Sequence, residues 1–267
     1  MRLGTHMIGI SITVIYVVTS ITFAPSILPR AGSAPTKVAV SLLSYLREPY
    51  PVFHAATRNT VNKQHPFTIM AVGGSSAQGY DDPNLNGYLA RALRRVSTAL
   101  NMPITFINKA KSGEIPTMLA PYYDPLLHTI APNVVILAWG LLNSIARKVP
   151  EAMFQRTIQS EVTMALHEGA DVWIVTPPVT TATYVGHDVQ LEAAYIKREI
   201  AGAQAVHSTH VYVLDLTNAM KTYLVDHHES YKTLQSNNWH MNQAGHVLAG
   251  QILAKAILRR AKSLGLP

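Results

Sequence analysis

A chain of 267 residues with 48% apolar content can bury one substantial core, and its length points to a single main domain. It contains no cysteine, which excludes disulfides and cysteine-ligated zinc or iron–sulfur centres. The formal net charge of +7 favours polyanionic partners such as anionic lipid or acidic wall polymers. The basic residues are scattered apart from Lys255, Arg259, Arg260 and Lys262. No nucleic-acid motif accompanies them, so no nucleic-acid partner is expected.

Met7 to Ala24 is an uncharged, mostly apolar run preceded by Arg2. It is long enough for a membrane span and longer than the usual apolar region of a signal peptide. The small residues Ala31-Gly32-Ser33-Ala34 offer a cleavage site, but Pro35 follows at once. Residues 1–25 are therefore read as an uncleaved signal-anchor, with a secreted mature form as the alternative; either places the rest outside the cytoplasm. Residues 26–64, rich in Pro, Ser, Thr and Ala with a short apolar stretch at Val38 to Leu46, read as a linker or stalk. Residues 65–267 form the main domain.

From Pro66 onward strand and helix signals alternate. Phe67–Val72 is a β-rich run, followed by a helical pattern from Leu85 to Leu100. Ile104–Ile107 is a second strand. Val134–Ala138 is a third, continuously apolar as in strands buried on both faces. A helix is predicted from Glu151 to His167, ended by Gly169, then a fourth strand at Val172–Thr176 stopped by Pro177-Pro178. Asp188 is a candidate N-cap for a helix running to Val206. Val211–Leu216 is the fifth strand. The last helix begins near Asn242, with Val247, Leu248, Ile252, Leu253, Ile257 and Leu258 on a helical period. Strands separated by helices imply a parallel sheet covered on both faces, with the functional site beyond the carboxyl ends of the strands.

Four polar clusters fall at such positions. Gly73-Gly74-Ser75-Ser76 follows the first strand, and its glycines suit a tight strand-to-helix turn that exposes a hydroxyl. Asn108-Lys109-Ala110-Lys111-Ser112-Gly113 follows the second, and Trp139-Gly140-Leu141-Leu142-Asn143 the third. Asn237-Asn238-Trp239-His240-Met241-Asn242 precedes the last helix. Together they supply a hydroxyl nucleophile, glycine N–H groups, a carboxamide and an imidazole base, the parts of acyl transfer.

In this order the four blocks resemble those of the SGNH (GDSL-type) hydrolases over about residues 67 to 260. The resemblance implies a three-layer α/β/α sandwich with a flavodoxin-like parallel sheet of about five strands. It also implies a serine esterase acting through an acyl-enzyme. Gly73-Gly74-Ser75 aligns with the family's Gly-Asp-Ser, making Ser75 the nucleophile in preference to Ser76. Gly113 and Asn143 take the oxyanion roles beside the Ser75 N–H, although one extra residue separates Gly140 from Asn143. His240 takes the base position of Asp-x-x-His, but the acid position is Asn237. A dyad aided by Asn237 or a backbone carbonyl, a carboxylate from elsewhere (Asp215 or Asp226), and weak activity are the three outcomes left open.

Competing motifs fail. Gly-x-Ser-x-Gly would need glycine where Ala77 stands, and neither Gly-x-Gly-x-x-Gly nor a P-loop is present. Asp81-Asp82 and Asp226-His227-His228 lack partners at ligand spacing and read as solvated surface. No metal or organic cofactor is implied. The expected substrate is an acylated small molecule, lipid or wall carbohydrate, and the expected membrane contact is through the N-terminal segment. An acyltransferase of wall sugars and a non-catalytic wall-binding module on the same fold are the alternatives.

Overall fold

The computed structural model describes residues 52–54, 67–185, 188–264 and Leu266. The predicted anchor at Met7 to Ala24 and most of the predicted stalk lie outside the described residues.

Alternation of apolar side chains along buried strands builds two cores, one on each side of a sheet. β2 (Phe67–Gly73) sends Ile69 and Ala71 to one side and Met70 and Val72 to the other. β4 (Val134–Ala138) does the same with Val134 and Ile136 against Val135 and Leu137. With β3 (Ile104–Asn108), β5 (Asp171–Val175) and β6 (Val211–Leu214) they form a parallel sheet ordered β3-β2-β4-β5-β6. This is the flavodoxin-like order expected of the sequence, and the strand order reverses at β2. Ligands bind at such a switch point, beyond the carboxyl ends of the strands.

A sixth strand was not expected. β1 (Val52–His54), inside the segment read as a stalk, pairs antiparallel with β3 in the register Val52 with Ile107. Three residues are too few to show a strand periodicity. Its effect is to pair the outer edge of β3.

The helices cover both faces. α1 (Ser75–Gln78) is a single turn after β2, and α2 (Tyr88–Leu100) packs with α9 (Gln243–Arg259) over the Ile69 face. α2 starts three residues later than its apolar pattern, because Pro83–Leu85 forms a separate 3-10 turn and Gly87 takes φ 41°. α3 (Pro116–Ile130) and α5 (Glu151–His167) cover the Met70 face with α7 (Val189–Gln204). α3 carries Pro121 and Pro125 inside it, residues that normally argue against a helix, and it was not expected. Leu119, Tyr123, Leu126 and Leu127 nevertheless bury its inner face. α4 (Leu142–Ala146) and α6 (Thr181–Tyr184) are short. β6 stops at Leu214 rather than Leu216 because Asp215 caps α8 (Leu216–Asp226), accepting the Asn218 N–H.

Three glutamates, Glu161 on α5 and Glu192 and Glu199 on α7, are fully buried. Glu161 accepts the indole N–H of Trp139 at 2.9 Å, so it fixes the residue before Gly140. Burial pushes Glu161 up to about 8, against the opposing hydrogen bond from Trp139. Burial also pushes Glu192 up to about 8, with Lys221 opposing and Asp188 adding. Glu199 is held well above the carboxylate range by burial and by Glu161. The folded chain therefore holds these protons more tightly than the unfolded chain, whose carboxyls titrate near 4.5. Their contribution to stability is fully present below that value and is lost as pH rises through about 8. Glu161→Gln keeps an acceptor for Trp139 and removes one such proton. Thermal unfolding is expected to show a smaller loss of Tm for this variant than for wild type between about pH 6 and pH 9.

Candidate active site

β2 ends at Gly73, where any Cβ would overlap the Ala138 carbonyl of β4. Only glycine lets the strand end press this closely against its neighbour and turn at once into α1. Ser75 is the first residue of α1, so its backbone N–H has no acceptor within the helix. Gly79, at φ 97°, closes the turn by donating its N–H to the Ser75 and Ser76 carbonyls. Ser75 is half-buried at the mouth of the turn, whereas Ser76 is turned into the protein with 9% of its surface exposed.

The Ser75 Oγ lies 2.8 Å from Nε2 of His240, which comes from the loop before α9. The other ring nitrogen, Nδ1, is 3.1 Å from Oδ1 of Asn237. That oxygen also accepts the backbone N–H groups of Trp239 at 2.9 Å and His240 at 3.0 Å. Two backbone donors fix which end of the carboxamide faces the ring. Nδ1 must then carry the proton, and Nε2 is left as an acceptor for the serine hydroxyl. The amide therefore sets the tautomer that a triad carboxylate would set, without its charge.

The carboxylates considered as substitutes lie elsewhere. Asp215 is committed to Thr176 at 3.1 Å and to Asn218 at the start of α8, and Asp226 is exposed at the end of that helix. Of Asp81 and Asp82, read from the sequence as solvated surface, Asp81 is exposed and Asp82 is not. Asp82 is buried and holds Arg91 through both carboxylate oxygens at 2.9 Å. Asp81 accepts the Ser236 hydroxyl at 2.6 Å and faces the Asn237 Nδ2 at 3.3 Å. No sequence motif marks Asp81, because its partners are 155 and 156 residues away.

The second and third blocks close around the same turn. The Lys111 N–H donates to the Gly73 carbonyl and the Ser112 N–H to the Gln78 side chain, both at 3.0 Å. Gly113 follows at φ 77°, and a Cβ there would meet nothing within 4 Å. In the third block the extra residue is absorbed locally. Leu141 adopts φ 54° and ψ −41°, and the Leu142 N–H bonds to the Gly140 carbonyl across it. That is the rare γ-turn, which spans three residues where a longer loop would displace the chain. Leu141 itself is buried, and Asn143 enters α4 with its carboxamide beside Gly74: Nδ2 is 3.5 Å from where a Gly74 Cβ would stand. Ser75, His240, Asn237, Gly113 and Asn143 are thus drawn to the loops at the carboxyl end of the sheet.

Residues 71–248 match the GDSL-like lipase/acylhydrolase family. The chain belongs to that family. It is a carboxylic ester hydrolase with the SGNH hydrolase fold. LAE5, an alpha/beta hydrolase enzyme from the metagenome of Lake Arreo, Spain, superimposes with a TM-score of 0.59 at 16% identity. That match covers 74% of this chain and 95% of LAE5. Axe2, an acetylxylan esterase from Geobacillus stearothermophilus, has a TM-score of 0.57 at 18% identity, over 75% of this chain and 94% of its own. At such identities the likeness speaks to the fold alone. Catalytic mutants of Axe2 replace a serine, an aspartate and a histidine, the aspartate three positions before the histidine. No curated protein matches the sequence.

The electrostatics of the hydrolase site follow from its partial burial. Loss of solvent lowers the His240 value below the ordinary imidazole 6.5, and the Asp81 carboxylate opposes that shift. The Tyr80 ring packs on the imidazole with centroids 4.5 Å apart. Tyr80 is held in turn by His246, whose buried Nε2–H donates to the Tyr80 carbonyl at 2.9 Å. Away from this site, Arg94 and Arg95 of α2 and Lys255 and Arg259 of α9 line a groove of about 750 Å³, where part of the basic charge gathers.

Proposed function

We propose that Ser75 is the nucleophile of a Ser-His acyl-enzyme mechanism. His240 accepts the Ser75 proton as Oγ attacks the ester carbonyl, and the resulting imidazolium returns it to the leaving alkoxide. Water, deprotonated by the same imidazole, then cleaves the acyl-enzyme to release the acid and regenerate Ser75. The Ser75 and Gly113 N–H groups and the Asn143 carboxamide stabilise the tetrahedral oxyanion. The observation that carries this reading is the 2.8 Å contact between Ser75 Oγ and His240 Nε2, with the Asn237 oxygen on the far side of the ring. Because the base is neutral below the ordinary imidazole value, kcat/KM is expected to reach its plateau with an acid limb centred below pH 6.5. An acid limb above that value in a pH–rate profile would contradict the assignment of His240.

The substrate class we propose is a short acyl ester, in particular an O-acetyl group on carbohydrate. Two observations support it: the fold likeness to an acetylxylan esterase, and the partly exposed Tyr80 ring packed on His240, with the exposed Trp239 next in the chain, aromatic groups on which a sugar can stack. The N-terminal apolar run and the absence of cysteine support a membrane-anchored, extracytoplasmic protein. Rates with p-nitrophenyl acetate, p-nitrophenyl octanoate and acetylated xylo-oligosaccharide test the substrate. Release of acetate from the oligosaccharide, with the acetyl ester preferred over the octanoyl ester, is the expected result. Preference for the octanoyl ester would move the substrate to lipids. Transfer of acetyl to an added sugar in place of acetate release would make the enzyme a transferase.

A further inference from the structure

Asp81 belongs to none of the four blocks, yet the loop that carries it is secured on both sides. Tyr80 before it is tied by its carbonyl to the buried His246, and Asp82 after it is locked to Arg91. Between them Asp81 adopts φ 64°, a left-handed conformation that aspartate tolerates better than most residues. This aims its carboxylate at the loop carrying His240. Oδ2 accepts the Ser236 hydroxyl at 2.6 Å and faces the Asn237 Nδ2 at 3.3 Å. From Asn237 the chain of contacts runs to His240 and then to Ser75.

We infer that Asp81 is a positioning residue that supplies, through the Asn237 carboxamide, the negative charge that a triad carboxylate would place directly against the histidine. The inference rests on the Ser75–His240 reading above. An amide hydrogen-bonded to an anion at its N–H end becomes a stronger acceptor at its oxygen, since bonds in such a chain polarise one another. The imidazolium that forms during attack then meets a more negative oxygen at Nδ1. The carboxylate also fixes the amide orientation from outside, while the Trp239 and His240 N–H groups fix it from inside. The groups facing His240 are Ser75, Asn237, the Tyr80 ring and, through Asn237, Asp81. The Asp81 carboxylate favours the protonated form of His240; it also acts on His246, together with the Asp82–Arg91 pair.

A charge-relay role and a simple loop clamp give different results when the carboxylate is moved. Asp81→Asn keeps the volume and an acceptor for Ser236. With p-nitrophenyl acetate its kcat is expected to fall about tenfold or more with little change in KM. Its acid limb should shift to lower pH, because the charge that favours the imidazolium is gone. The exchange variant Asp81→Asn with Asn237→Asp places the carboxylate directly on His240, with the amide behind it. It should recover kcat to at least the wild-type rate and move the acid limb above that of wild type. An Asp81→Asn enzyme with the wild-type kcat and acid limb would overturn the proposal. So would a slow Asp81→Asn enzyme whose acid limb is unmoved, or an exchange variant no faster than it. Ser75→Ala run alongside separates the levels. Full activity there removes the Ser-His reading and the relay together, whereas an inactive Ser75→Ala with an unaffected Asp81→Asn removes the relay alone.

Discussion

Ser75→Ala is expected to lower kcat/KM for p-nitrophenyl acetate by about a thousandfold or more while leaving the thermal unfolding midpoint near that of wild type. The size of the effect follows from the absence of a substitute hydroxyl. Ser76 is the neighbour in sequence, but one step around α1 turns it into the protein, and His240 Nε2 addresses Ser75. The small effect on stability follows from its position. Ser75 is half-buried at the first residue of a short helix, where alanine is readily accommodated. Steady-state kinetics together with a melting curve check both halves. A variant that keeps its rate would place the nucleophile elsewhere.

The second large effect is expected at Asn143. Replacing it with alanine should reduce kcat about a hundredfold to a thousandfold, the range for loss of one oxyanion donor, with KM changed far less. A structural role would instead have it cap α4. The cap position is Leu141, however, and Asn143 lies inside the helix, with its Nδ2 at a long 3.5 Å from the Glu114 carbonyl. So weak a contact leaves the amide available to a stronger acceptor such as an oxyanion. Asn143→Asp should be slower still, because a carboxylate there repels the charge that the site must stabilise. A loss of Tm with unchanged kcat in Asn143→Ala would assign the residue to the fold.

The strands were the most legible part of the chain. Val134–Ala138 and Phe67–Val72 are continuous apolar runs, and burial on both faces of a parallel sheet calls for that composition. The parallel sheet followed from helices alternating with them, and the flavodoxin-like order from the family resemblance. β1 was not legible because three residues in a Pro- and Thr-rich segment carry no period. α3 was hidden by Pro121 and Pro125, whose local cost is met by an apolar face packed under the sheet. Tertiary packing overrides propensity in such a case.

At the site, the family resemblance singled out Ser75, Gly113, Asn143, Asn237 and His240 as candidates, and the structure brings them to the same end of the sheet. The reason Asn143 arrives there despite an extra residue was not legible, since a γ-turn at a leucine has no sequence signature. Asp81 was missed for a different reason. Its role depends on a contact between loops 155 residues apart, and side by side with Asp82 it read as an ordinary acidic surface pair. The signal that could have drawn attention to it is the missing acid itself: with Asn at position 237, every aspartate in the strand-end loops becomes a candidate, not only those near the last helix.

Activation of Ser75 by His240 is read out by covalent labelling. The folded protein is treated with a fluorophosphonate and the adduct is mapped by peptide mass spectrometry. Modification at Ser75 that is lost in His240→Ala is the predicted result. An adduct at Ser76 or at any other serine, or no adduct in a protein shown to be folded, would contradict it.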